Sequence, residues 1–252
     1  MLEIRNLSAG YGHGDVIAEV SFTARRGEIT TIIGKNGCGK TTLLKAATGM
    51  LPHRSGDVLV DGVSIAELST AKRAQLMSYL AQGRGAPEIT VGRMVLHGRF
   101  SHLGYPRRYS KKDYAIAAEV MEKMGLTELA YTPMSQLSGG MRQKVYIAMA
   151  LAQQTPVVLM DEPTTYLDIA QQLSFGDMVG DLAQQGKAVL LVLHDLLFAL
   201  RISHRIVVMD GGRVVACGTP GEIMASGVLE RLYGVVVKSV ETEQGTRLYY
   251  DV

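Results

Sequence analysis

The sequence predicts an α/β protein with a parallel core sheet, an antiparallel β piece and an inserted block of helices. Short apolar runs at 157–160, 188–193 and 205–209 are separated by helical stretches, the pattern of parallel strands buried on both faces. A strand-like run at 28–33 ends in a glycine-rich turn and leads into a helical stretch. Asp61-Gly62 stands between two alternating apolar runs, a hairpin signal that makes this part antiparallel.

The remaining elements follow in order. Residues 2–6 and 16–24 alternate in the manner of half-buried strands, and 40–48 form the helix after the glycine-rich turn. Residues 77–81 read as a short strand, after which Gly83, Gly85 and Pro87 make a loop. Helical periodicity dominates from 91 to 152. There Ser110 can cap a helix through Met124, and Gly125 can close it in a left-handed conformation. The helical insert is placed at about 83–155. The tail, 219–252, reads as two short helices and a closing pair of strands, with no break in composition. The 252 residues are therefore read as one domain, a length that single α/β units often reach.

Composition narrows the classes of function. A hydrophobic share of 47% with 20% charged residues supplies a full core. Lys plus Arg exceed Asp plus Glu by 26 − 24 = 2, too small a surplus to argue for nucleic-acid binding. Cys38 and Cys217 match neither a zinc spacing nor a disulfide framework, which fits a reducing cytoplasm. The start, Met1-Leu2-Glu3-Ile4-Arg5, has no apolar run of signal-peptide length behind it. The longest uncharged apolar stretch, 145–160, is interrupted by Gln153, Gln154, Thr155 and Pro156 and falls short of a spanning helix. Any membrane role is expected to come through a partner.

Three motifs carry chemistry. Gly34-Lys35-Asn36-Gly37-Cys38-Gly39-Lys40-Thr41 fits G-x-x-x-x-G-K-[ST], and Thr42 follows it. Its glycines let successive N–H groups curl around phosphate oxygens, Lys40 reaches the β/γ-phosphates, and Thr41 can ligate Mg²⁺. A chance glycine-rich turn would not sit between a strand and a helix. Cys38 is read as a tolerated small residue. The second motif, Val157-Val158-Leu159-Met160-Asp161-Glu162, is an apolar strand ending in two carboxylates. An Asp-Glu pair is usually a solvated strand end, but downstream of Lys40 it reads as a P-loop NTPase site, with Asp161 toward Mg²⁺ and Glu162 polarising the attacking water. The third, Leu137-Ser138-Gly139-Gly140-Met141-Arg142-Gln143, opens a helix with a Ser-Gly-Gly turn. Alone it would be an ordinary N-cap, and its hydroxyl and free N–H groups can also hold an anion.

Lying between the two NTPase motifs, 137–143 resembles the signature sequence of the ABC ATPase family, and the family's motifs recur in order over nearly the whole chain. The resemblance implies a RecA-like P-loop core binding ATP and Mg²⁺. It also gives roles to residues that would be weak alone. Tyr11 resembles the aromatic that stacks on adenine, Gln82 the loop glutamine joining Mg²⁺ to the helical part, and His194 the switch histidine near the γ-phosphate. Asp168, in Tyr166-Leu167-Asp168, matches the loop that contacts the opposite subunit. In the family two cassettes sandwich two ATP molecules, each between one subunit's phosphate loop and the other's signature, here Ser138, Gly139, Gly140 and Met141. One copy per chain implies a homodimer. Two departures bear on that interface: Met141 replaces the usual Gln, and Tyr166 stands where smaller residues are common.

The runs 147–153 and 161–169, with Thr90-Val91 and His97-Gly98-Arg99, are similar to importers of iron-siderophore, haem and cobalamin type. This implies an ATPase on the cytoplasmic side of the cell membrane, held there by permease subunits and served indirectly by a substrate-binding protein. Gln82 and the following helices, with Arg99 and Phe100, are expected to form the coupling surface. The basic run His97, Arg99, His102, Arg107, Arg108, Lys111 and Lys112 is read as a solvated helix end. Metal binding is disfavoured because His97 and His102 lack a nearby cysteine or carboxylate cluster, and attraction to anionic lipid is the other reading such a run allows. The rival function is a non-transport ABC ATPase acting on nucleic acid or ribosomes. Against it, Lys40 and Asp161 are only 161 − 40 = 121 residues apart, too few for a long inserted coiled coil, and the chain carries one cassette. A small-molecule P-loop kinase would leave the signature, Gln82 and His194 without a joint explanation.

Overall fold

The computed structural model describes every residue except 13, 84, 243, 244 and 252. Strands β1 (Leu2–Ala9) and β2 (Ile17–Ala24) precede β3 (Ile29–Gly34), which runs into α1 (Lys40–Ala47). Next come β4 (His53–Val60) and β5 (Val63–Ser64), joined by Asp61 and Gly62 at φ 51° and 84°. Two left-handed residues are what a two-residue turn needs to match the twist of its strands. The chain continues through α2 (Thr70–Leu76), β6 (Met77–Leu80), α3 (Val91–His97), α4 (Lys111–Lys123), α5 (Gly139–Ala152) and β7 (Val157–Asp161). It closes with α6 (Ile169–Gln184), β8 (Ala188–Val192), α7 (Leu196–Ile202), β9 (Arg205–Asp210), β10 (Arg213–Gly218), α8 (Pro220–Ala225), α9 (Val228–Tyr233), β11 (Val236–Thr242) and β12 (Gly245–Asp251).

Among the described residues the strands form three sheets. The largest has the order β10-β9-β3-β8-β7-β6 and is parallel except for β10 at its edge. A second, with the order β2-β1-β4-β5, is antiparallel, and β11 pairs with β12 alone. Because side chains alternate along a strand, each central strand feeds two cores. Val158, Met160, Val189, Leu191, Ile206 and Val208 join the cluster shared with the helices after β6. Val157, Leu159, Leu190, Val192, Val207 and Met209 join the cluster shared with α1 and the antiparallel sheet. Burial on both faces explains why these strands read as unbroken apolar runs.

Among the described residues the helical block holds one buried ion pair. Arg99 Nε donates to Asp113 Oδ1 at 3.0 Å, and Nη1 donates to the Ala152 carbonyl at 2.9 Å. Ser110 caps α4 in a reciprocal box, its N–H donating to Asp113 Oδ2 at 2.9 Å. The Ser110 hydroxyl and backbone, then Arg99, hold the Asp113 carboxyl down at about 2. This corrects the expectation for Arg99. With 5% of its surface exposed it ties α4 to the end of α5, and only Phe100, 39% exposed, remains of that pair as surface. The structure also contains α2 and β10, which the sequence pattern does not announce.

Candidate nucleotide site

Strand register brings the motifs together. Leu80 lies opposite Met160, Asp161 opposite Val192, and Ile32 also opposite Val192. Extending each strand by one or two residues sets Gly34, Gln82, Glu162 and His194 at one edge. That edge is the carboxyl end of the parallel strands, where α/β sheets bind ligands.

Glu162 is the hub of this edge. Its Oε1 pairs with His194 Nε2, and its Oε2 accepts from Gln82 Nε2 at 2.5 Å and lies 3.5 Å from Thr165 Oγ1. Its backbone is left-handed, with φ 50°, a conformation that residues with a side chain seldom adopt. Such strain costs of order 1 kcal/mol or more and persists only where the surroundings enforce it. Here the Glu162 N–H is held by the Val192 carbonyl at 3.1 Å, and three side chains hold the carboxylate.

Asp161 is fully buried, and that burial pushes its carboxyl up from the usual range, against the pull of Thr41, Tyr79 and Lys40. Its Oδ2 lies 3.5 Å from the Tyr79 hydroxyl, whereas Oδ1 has no hydrogen-bond partner among the described residues. An orphaned buried carboxylate oxygen costs free energy, and a hard divalent cation beside the Thr41 hydroxyl would satisfy it. The residues present therefore fit Mg²⁺. Among the described residues no group of three or more His, Cys, Asp or Glu forms an all-protein cage. Mg²⁺ usually takes one or two carboxylates and draws its other ligands from water and substrate phosphates.

The phosphate loop is built around Lys40. Only 6% exposed, it donates from Nζ to the Gly34 and Lys35 carbonyls at 2.7 and 2.9 Å. Gly39 opens α1 with φ 101°, and a Cβ there would stand 2.7 Å from Ile17 Cγ2, so no other residue fits. Asn36, Gly37, Gly39, Lys40, Thr41 and Thr42 line an open cavity of about 510 Å³ together with Gln82, Glu162, His194 and Val16. Gly34, Lys35 and Cys38 form the back of the loop rather than the cavity lining, and burial raises the Cys38 thiol. A larger cleft of about 1140 Å³ between α4, α5 and α6 contains no phosphate-loop residue.

Other expected residues lie apart from this cavity. Tyr11, 53% exposed, sits in the turn between β1 and β2, outside the lining. Ser138 caps α5, accepting from the Met141 N–H at 3.3 Å. Gly139 lies under the Tyr166 ring, and a Cβ on Gly140 would stand 3.0 Å from the Tyr166 carbonyl oxygen. Met141 is partly buried against the helical core. Asp168 caps α6 through the Gln171 N–H at 2.8 Å. One chain thus unites its phosphate loop with Gln82, Asp161, Glu162 and His194, but not with its own signature turn. Sequence reading missed Val16, Thr165 and Tyr79. Tyr79 had a usable signal, since a strand register aligning 80 with 160 puts 79 and 161 on one face.

The comparisons agree with this geometry. The family description "ABC transporter" matches residues 17–165. The iron(3+)-hydroxamate import ATP-binding protein FhuC of Bacillus subtilis (strain 168) is 38% identical over 256 residues, covering 100% of this chain and 95% of the relative. The ferric enterobactin transport ATP-binding protein FepC of Escherichia coli (strain K12) is 37% identical, covering 91% and 85%. Among solved structures, an ATP-binding cassette in a dimeric post-hydrolysis state bound to ADP and Pi superposes with a TM-score of 0.78 at 26% identity, covering 87% of this chain and 99% of that one. A phosphate loop, a buried strand ending in Asp-Glu and a signature turn held away from its own loop are features of one architecture: the chain belongs to the ABC transporter family, as one of its ATP-binding, ATP-hydrolysing subunits.

Proposed function

We propose that this chain powers the import of a metal chelate, of the iron-siderophore, haem or cobalamin class, through a separate permease. It acts as a homodimer on the cytoplasmic side of the cell membrane, and a substrate-binding protein delivers the cargo. Supporting this reading, the relatives FhuC and FepC are named for iron(3+)-hydroxamate import and ferric enterobactin transport. No helix among the described residues is long and apolar enough to cross a membrane.

The observation that carries the catalytic reading is the placement of Glu162 between His194 and Gln82 at the mouth of the phosphate cavity. ATP binds with its β- and γ-phosphates on the loop N–H groups and Lys40, and Tyr11 stacks on adenine. Thr41, Asp161 and Gln82 would hold Mg²⁺, which would supply positive charge to offset that of the phosphate oxygens. Glu162 accepts a proton from the attacking water and orients it in line, and His194 holds that carboxylate in place. Ser138, Gly139, Gly140 and Met141 of the second copy close over the γ-phosphate, and Asp168 contacts the opposite subunit.

Cells carrying Lys40→Ala as the sole copy test the cargo. Uptake of one among labelled ferric hydroxamate, haem and cobalamin should fall to background while the variant remains folded and associated with a permease in detergent extracts. Undiminished uptake of all three, with the chain sedimenting with ribosomes instead, would overturn the import reading.

A further inference from the structure

Residues 89–112 contain no Asp or Glu and six Lys or Arg. One of the six, Arg99, is buried and neutralised by Asp113. Arg107, Arg108, Lys111 and Lys112 are exposed, and among the described residues none of them forms an ion pair. The span from 107 to 112 is at most about 18 Å of extended chain, so their fields add. Lys111 and Lys112 occupy the first turn of α4, the end of a helix that disfavours cations. The two lysines work against the helix and gain no ion pair among the described residues in return.

The same loop is tipped with aromatic surface. Tyr105 is 99% exposed between Gly104 and Pro106. The Phe100 ring stacks on His97 with centroids 5.2 Å apart, and the Arg107 guanidinium lies 4.6 Å from its centre. This contact holds the basic run against the helical block while leaving Tyr105 to project. A fully exposed ring among exposed cations is a convex feature. It suits a deformable layer of headgroups better than the groove a protein partner would bring.

We propose that the segment 100–112 binds the anionic lipid headgroups of the membrane surface directly, as a second anchor beside the permease. Clustered Lys and Arg near an anionic leaflet each contribute about five-fold to partitioning, and an aromatic ring sits well at headgroup level. The net charge of the whole chain is only +2, so the local patch and not the molecule's overall charge supplies the attraction. The inference does not depend on the cargo, and its failure leaves the uptake test untouched.

Sedimentation of the purified chain with vesicles tests it. Wild type should pellet with phosphatidylcholine vesicles containing one-third phosphatidylglycerol, should not pellet with pure phosphatidylcholine, and should be released by raised salt. The variant Arg107→Ala/Arg108→Ala/Lys111→Ala/Lys112→Ala should lose at least about 100-fold in partitioning. Tyr105→Ala should lose less, and Arg107→Lys/Arg108→Lys should bind like wild type. All variants should retain nucleotide binding, because the patch lies outside the phosphate cavity. Equal pelleting with neutral vesicles, wild-type partitioning of the four-charge variant, or binding that appears only when the permease is present would overturn the proposal.

Discussion

At the scale of single residues, the site rests on a few side chains whose surroundings fix their state. Glu162 is held in a left-handed backbone and clasped by His194 and Gln82. Glu162→Gln keeps the size and removes the basicity, so ATP hydrolysis should fall by about 10²- to 10⁴-fold while ATP still binds through the loop. Phosphate release together with nucleotide titration measures both, and hydrolysis at the wild-type rate would remove Glu162 from the role of base. Far from the chemistry, Arg99 and Asp113 form a buried pair. Truncation in Arg99→Ala strands the Asp113 carboxylate and should cost about 3–5 kcal/mol, read from denaturant unfolding. The pair also sets a pH dependence. Because the folded-state value of Asp113, about 2, lies below the ordinary 3.8, its contribution is fully present above pH of about 4. It is lost as the pH falls through about 2. Asp113→Asn should therefore be less stable than wild type at neutral pH, with the gap narrowing through that acid window.

At the scale of elements, legibility followed how local the cause was. The P-loop, the 61–62 turn and the Ser110 cap were readable because each depends on residues a few positions apart. The strands of the parallel sheet were readable because burial on both faces leaves an unbroken apolar run. Helix α2 has no fully buried residue, so no apolar stripe announced it, and β10 alternates only weakly at a sheet edge. Arg99 reads as surface in the sequence because its partner Asp113 lies 14 residues away and its burial depends on how α3, α4 and α5 pack. The contacts of Glu162 with Gln82 and His194 required the strand register itself. Element ends give a further prediction. The Asp168 side chain accepts from the Gln171 N–H at the start of the 16-residue helix α6. Asp168→Ala should lower unfolding stability by about 1 kcal/mol, and Asp168→Asn, an equally good cap, by only a few tenths. If the two variants unfold at the same denaturant midpoint, the cap is not what Asp168 contributes to the monomer.

At the scale of the whole molecule, one chain holds two half-sites that do not meet. The phosphate loop, Glu162, Gln82 and His194 share one cavity, with Asp161 buried next to Glu162 in sequence, whereas the signature turn packs under Tyr166 and lines no part of it. In the proposed homodimer the catalytic unit is assembled from two copies by an isologous contact, in which each loop meets the other copy's Ser138. This arrangement is testable by mixing. Lys40→Ala removes the ammonium from the loop, and Ser138→Arg blocks the turn, so a homodimer of either variant should be inactive. When the two are mixed, one site of the hybrid pairs the mutated loop with the mutated turn, and its other site pairs two intact halves. With free exchange and independent sites, half of the dimers are hybrids with one working site of two. Phosphate release in an equal mixture should therefore recover to about a quarter of the wild-type rate. If each chain instead completed its own site, both variants would be dead in every combination, and a mixture no more active than its parts would refute assembly between subunits.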